Sequence, residues 1–209
     1  METVSLIQLV LEEFQQAMRY DEYKNLIDSL LAENKSTGAN QSEQLTMYSS
    51  LNQRRMKRWE KTLKISPEAK EKIEAFPKKM GWLVISEGWC GDAAHILPVL
   101  QKMASFNKNI DLRIVLRDEH EKLMNEFLTN GGKSIPKLIM IDLAEEKIIA
   151  DWGPRPSAAT KMVEKYKKDH GSLDADFKEE LQLWYNKDKG KTVVEDITKI
   201  LYTEAQPFG

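Results

Sequence analysis

The stretch Trp82-Leu83-Val84-Ile85-Ser86-Glu87-Gly88-Trp89-Cys90-Gly91-Asp92-Ala93-Ala94-His95-Ile96-Leu97-Pro98 decides how the chain is read. Its first four residues form a wholly apolar run with β-branched members, which predicts a strand buried on both faces. Beyond Gly91, the residues Ala93, Ala94, Ile96, Leu97, Val99, Leu100 and Met103 have helical spacing and include good helix formers. Cys90, the only cysteine of the chain, therefore stands where a strand hands over to a helix. Free backbone N–H groups and the positive end of the helix dipole favour a thiolate there, and the thiolate is the nucleophilic form. Gly91 removes a Cβ beside the sulfur, so another backbone could approach closely. Asp92 acts the other way, because its carboxylate competes for the same N–H groups and repels a second anion. The two influences leave the sign of the Cys90 pKa shift open. Without the surrounding motif, a lone cysteine also reads as a small packed hydrophobe.

Working outward, Pro98 falls inside the helix that follows Cys90, at a cost of several kcal/mol unless a kink is accommodated. Further on, Ser134-Ile135-Pro136-Lys137-Leu138-Ile139-Met140-Ile141 places an Ile-Pro pair at the start of another apolar strand. Trp89-Cys90-Gly91, Pro98 and Pro136 together resemble the thioredoxin superfamily. In that family a Trp-Cys-Gly-Pro-Cys motif precedes a proline-kinked helix, and a cis-proline stands beside the thiol. Gly153 matches a glycine that follows the last strand. The resemblance covers roughly residues 61–170 and implies an α/β, three-layer thioredoxin-like fold with about four central strands. It also implies a cis peptide before Pro136, with Ile135 offering its backbone to an extended peptide as in strand addition.

The departures from the family pattern bear on activity. Ala93 stands where the resolving cysteine is expected, so the dithiol cycle cannot run within this chain. Asp92 replaces the proline between the cysteines, and Val84 replaces a buried aspartate that assists proton transfer. The chain as a whole is similar to bacterial thioredoxin-like proteins with a Trp-Cys-Gly-Asp motif. What the resemblance implies is a role in cell redox homeostasis. Cys90 would be a monothiol nucleophile whose substrate is held by Trp89, Gly91, Asp92, Ile135 and Pro136, with an external thiol completing exchange. Two other readings are a non-catalytic groove that binds a peptide or protein and a redox sensor whose thiol is reversibly capped. The expected partner is a protein or a low-molecular-weight thiol or disulfide. His95, one turn past the thiol, and Arg117 and Arg155, which follow strand ends, are possible auxiliary residues. Cys90, Asp92 and His95 could be drawn as metal ligands, but Asp92 and His95 point to different sides of a helix and no second cysteine or paired histidine accompanies them. No metal and no cofactor are expected.

The rest of the chain divides into an N-terminal helical extension (1–60), the thioredoxin-like part (61–170) and a C-terminal helical extension (171–209). Residues 3–32 predict one or two amphipathic helices, with Leu6, Leu9, Val10, Phe14, Ala17 and Met18 on one face, continued by Leu26, Ile27, Leu30 and Leu31. Asn40 and Glu43 suggest a capping box for a helix to about Thr62, with Leu45, Tyr48, Met56, Trp59 and Leu63 as its buried stripe. Ser66-Pro67-Glu68 opens a short helix that Pro77 ends. A strand is predicted at 110–116. A helix capped by Asp118 follows, with Leu123, Met124, Phe127 and Leu128 inward. A hairpin is predicted at 138–142 and 147–151, and helices at 157–169, 174–187 and 191–202. With 31 Lys and Arg against 33 Asp and Glu, the net charge of −2 suggests neither nucleic acid nor an acidic surface as default partner. The basic cluster Arg54-Arg55-Met56-Lys57-Arg58 reads as a solvated face or as partners for intramolecular ion pairs. The apolar cluster at 4–11 has no basic segment before it and is followed by Glu12-Glu13, which predicts a helix face rather than a signal peptide. No stretch reaches membrane-spanning length, and cytoplasm is the expected address.

Overall fold

The apolar run around Trp82 forms β1 (Met80–Ser86), every residue of which is buried. The structure is a computed structural model and describes residues 5–203. In chain order it contains α1 (Leu6–Gln16), α2 (Tyr20–Ala32), α3 (Glu43–Thr62), α4 (Pro67–Ala75), β1, α5 (Gly91–Ala104), β2 (Ile110–Leu116), α6 (Glu121–Glu126), β3 (Lys137–Asp142), β4 (Lys147–Trp152), α7 (Ser157–His170), α8 (Ala175–Asp188) and α9 (Lys191–Thr203). The sheet order is β2-β1-β3-β4. β1 runs parallel to β2, with Val84 beside Ile114, and antiparallel to β3, with Val84 beside Leu138. The β1-to-β2 connection passes through α5, as a parallel pair requires. β3 is buried throughout like β1, whereas β4 is half-exposed, as an edge strand is.

The N-terminal helices close the opposite edge. Between α1 and α2, Met18 exchanges two backbone hydrogen bonds with Ile114 of β2, at 3.0 and 2.8 Å. This covers part of an edge that would otherwise present unpaired N–H and C=O groups. Val10 and Phe14 of α1 and Tyr20, Tyr23 and Ile27 of α2 then join the same hydrophobic core as the sheet.

Several local expectations need correction. The cap of α3 is Ser42, whose hydroxyl accepts the Leu45 N–H at 3.2 Å, and not Asn40. The buried face of α3 is Ser49, Asn52, Met56 and Trp59, while Tyr48 is exposed. Asp118 does not cap α6: its carboxylate turns to Arg117 Nε at 2.8 Å, and the helix starts three residues later. Leu128 is exposed, because α6 ends at Glu126 before it could be carried inward. Leu6 is likewise exposed. The start of the first helix expected at residue 3 lies outside the described residues. No helix among the described residues is long and apolar enough to cross a membrane.

Candidate functional site

Cys90 is the residue that leads into α5, with its backbone still extended at φ −75° and ψ 114°. The loop carrying it is fixed from the N-terminal extension. Thr37 Oγ1 accepts the Gly88 N–H at 2.8 Å, and Asn52 Nδ2 donates to the Gly88 carbonyl at 3.0 Å. Both backbone groups of the residue two before the thiol are therefore held by side chains from 36 or more positions upstream. These two polar residues carried no signal in the sequence beyond ordinary turn and helix composition.

The thiol itself is 7% exposed and donates to the Ile135 carbonyl at 3.4 Å. Burial, followed by the Asp92 charge, pushes it up to about 12, against smaller opposing contributions from the backbone N–H groups of Ala93 and Asp92 and from Arg155. The dipole effect anticipated at a helix N-terminus is present, but desolvation outweighs it. At neutral pH the resting group is a thiol that donates a hydrogen bond.

Ile135 and Pro136 stand directly across from Cys90, and the peptide between them is cis. The Ile135 N–H has no hydrogen-bond partner among the described residues. Gly153 backs this loop: a Cβ there would lie 2.2 Å from the Pro136 carbonyl oxygen, and its φ of +122° also requires glycine. The Gly153–Pro154 peptide is cis as well, a feature the sequence did not announce.

Asp92 is buried at the first turn of α5 and anchors a network. Arg155 Nη2 lies 2.7 Å from Oδ2, and the Tyr185 hydroxyl donates to Oδ1 at 2.8 Å. Burial raises its pKa, opposed by Arg155 and Tyr185. Tyr185, from α8, carries no local sequence signal of a site residue. His95 stacks on Tyr185 with ring centroids 4.5 Å apart. Trp59 Nε1 donates to His95 Nδ1 at 2.9 Å, so the ring proton is on Nε2, which donates to Gln182 Oε1 at 2.8 Å. Burial lowers the His95 pKa to about 4. Both ring nitrogens are engaged, and His95 joins α3, α5 and α8 as a neutral structural hub.

Trp89 is half-buried, and the Arg117 guanidinium lies over its ring, 4.8 Å from the centroid. Gly91 faces Arg55 and Gln182. Val84 lies inside the sheet, and Glu87, a buried acid in the loop before the thiol, accepts the Asp118 N–H at 3.0 Å. Among the described residues no group of three or more His, Cys, Asp or Glu side chains gathers as a metal site.

These parts open onto one cleft of about 1220 Å³, walled by α3, the Cys90 and Ile135 loops, Arg155 and α8. Arg54, Arg55 and Arg58 of the α3 basic cluster line it, whereas Lys57 lies 3.8 Å from Asp28.

Comparison with known proteins places this arrangement. Comparison with curated proteins gives no match. Among solved structures, an HIV epitope-scaffold crystal structure is similar at a TM-score of 0.62 and 17% identity, covering 92% of this chain and 96% of its own. A protein of unknown function from Pseudomonas aeruginosa is similar at a TM-score of 0.56 and 15% identity, covering 88% and 98%. At such identities the likeness is one of fold. The sequence pattern of the family described as thioredoxin matches residues 38–167, more than half of the chain and the segment that carries α3, the Cys90 loop, the Ile135-Pro136 turn and Gly153. On that match, the chain belongs to the thioredoxin family.

Proposed function

We propose that the protein is a thioredoxin-fold binding module, which receives an extended polypeptide in the cleft beside Cys90 and keeps its single thiol dormant at rest. The observation that carries this reading is the state of the thiol. It is buried, held protonated well above neutral pH, and engaged with the Ile135 carbonyl. A nucleophile poised for exchange needs a substantial thiolate fraction, and this site favours the neutral form. Binding needs backbone groups able to pair with a ligand, and the Ile135 N–H is such a group. The helices before residue 61 and after residue 170 serve as the walls of the cleft.

The test is the alkylation rate of Cys90 in the folded protein as a function of pH. The rate should be slow at pH 7 and still rising above about pH 8.5, the free-cysteine value. A fast rate that is flat below neutral pH overturns the dormant-thiol reading.

A second reading, monothiol exchange with an external resolving thiol, is favoured by one specific feature: the Asp92 and Ala93 N–H groups and Arg155 all act to lower the Cys90 pKa. A thiolate formed after a ligand displaces the Ile135 contact would meet ready stabilisation. Trapping of a mixed disulfide by the wild type, absent in Cys90→Ser, would establish that activity.

A further inference from the structure

The cleft carries a charge imbalance that the thiol does not explain. Seven cationic side chains line it against two carboxylates, Asp92 and Glu179. Three of the cations are already matched: Arg155 with Asp92, Arg117 with Asp118 and Lys133 with Glu121. Arg54, Arg55, Arg58 and Lys178 have no carboxylate partner among the described residues, in a chain whose net charge is slightly negative.

Arg55 is the most constrained of them. It is half-buried, and its Nη1 donates to Asn52 Oδ1 at 3.0 Å, the same asparagine that holds the Gly88 carbonyl. The guanidinium is thereby tied to the loop that positions Cys90. Desolvation and the neighbouring Arg58 charge both lower its pKa, which marks two like charges crowded together without a counter-ion. Arg58 is steered from α8, its Nη2 donating to Asn186 Oδ1 at 2.5 Å. Arg155 adds a buried Nε with no hydrogen-bond partner among the described residues. Planar guanidiniums held by neutral amides keep their remaining N–H groups for a carboxylate fork. At Gly91 the thiol loop passes close to these groups: a Cβ there would lie 3.6 Å from Gln182 Nε2 and 3.8 Å from Arg55 Nη1.

We propose that the cleft selects an extended peptide segment bearing carboxylates, its acidic side chains taken by Arg55 and Arg58 while its backbone pairs at Ile135. This deepens the binding reading above and rests on it. The volume exceeds what a drug-sized ligand fills, and the apolar side chains of Leu45, Leu51 and Leu181 along the walls suit a peptide with alternating acidic and apolar residues.

The experiment is fluorescence anisotropy on the full chain with three fluorescein-labelled ten-residue peptides of alternating sequence. These pair Leu with Glu, with Gln or with Lys, and an oligothymidylate of ten nucleotides completes the set. The Glu peptide should bind at least tenfold tighter than the Gln peptide, the Lys peptide weakest, and the preference should fall as salt rises. Arg58→Gln, on an exposed side chain, and the double variant Arg55→Gln/Arg58→Gln should shrink the Glu-over-Gln ratio towards one. The wild-type peptide series decides the matter even where a variant is poorly folded. Equal binding of Glu and Gln peptides overturns the acidic preference and leaves the groove reading standing. Absence of binding by all three peptides overturns both. Tighter binding of the oligothymidylate than of the Glu peptide overturns the assignment to a peptide.

Discussion

Cys90 and Ile135 are joined across the cleft by a hydrogen bond from the thiol to the backbone carbonyl, with Sγ and O 3.4 Å apart. The bond exists only while the sulfur keeps its proton, so the residue expected to receive a ligand's backbone also stabilises the neutral thiol. On the proposed binding reading, ligand docking and thiol chemistry are thereby linked at one carbonyl oxygen. A strand that draws Ile135 away from Sγ removes one of the supports of the protonated form.

Asp92 is the charged neighbour that most opposes the thiolate, second only to burial. Asp92→Asn keeps an acceptor for the Tyr185 hydroxyl and removes the negative charge. The Cys90 pKa should fall, and each unit by which it falls multiplies the thiolate fraction about tenfold below the pKa. Iodoacetamide kinetics at pH 8 should show a several-fold faster reaction than in the wild type. An unchanged or slower rate would show that the Asp92 charge does not govern the thiol.

Arg155 is the counter-ion that makes the buried carboxylate of Asp92 tolerable. Arg155→Gln leaves that carboxylate with Tyr185 alone. Losing one partner of a buried ion pair costs about 3–5 kcal/mol, and the partial exposure of Arg155 puts the loss near the lower end, ~3 kcal/mol. Urea unfolding of Arg155→Gln should show this loss, and adding Asp92→Asn should recover part of it. A single variant as stable as the wild type would mean that Asp92 is held neutral by burial.

At Gly153 the backbone passes so close to Pro136 that no side chain fits. Gly153→Ala combines a 2.2 Å overlap with backbone carbonyl oxygen and an L-residue at φ +122°. Strain of that kind costs about 1–3 kcal/mol before the clash is counted, so a loss of more than ~3 kcal/mol is expected, read as a lowered Tm. Because the overlap is with backbone, the displaced segment is the Ile135-Pro136 turn. Cys90 alkylation should therefore also change. A variant with wild-type Tm and alkylation rate would remove Gly153 from the support of the site.

How much of this was legible in advance follows the range of the interactions. β1 was readable from Trp82 to Ile85 because burial on both faces leaves an unbroken apolar run, and α4 because Ser66-Pro67-Glu68 is a local cap. The sequence pattern likewise puts the hairpin and the last three helices within one or two residues of their bounds. What sequence alone did not show is contact across long separations. Thr37 and Asn52 look like an ordinary turn residue and an ordinary helix residue until the fold brings them to Gly88. Tyr185 and Gln182 sit on an amphipathic helix that folds back over α5. Arg55 illustrates the same limit: on an isolated helix its charge reads as solvated, and only the placement of α3 against the thiol loop makes it part of a cleft. The sign of the Cys90 shift depends on how thoroughly the site is desolvated, and local sequence does not encode that quantity.

His95 offers a pH-dependent test of the packing that holds α3, α5 and α8 around the site. Its folded pKa of about 4 lies below the unfolded value of 6.5. The folded state therefore binds fewer protons than the unfolded state between these two values, and stability rises with pH across that window. The contribution is fully present above about pH 6.5 and is lost as the pH falls towards 4. A shift of that size corresponds to about 3 kcal/mol. Protonation would also put a hydrogen on Nδ1, the nitrogen that accepts from Trp59, so the Trp59–His95 bond breaks in the same window. His95→Gln retains a side chain able to accept from Trp59 but does not titrate. Urea unfolding at pH 7, 5.5 and 4.5 should show the wild type losing stability more steeply than His95→Gln, with the two curves converging at low pH. Parallel curves would mean that His95 titrates alike in the folded and unfolded chains, and that His95 is not a neutral hub joining the three helices.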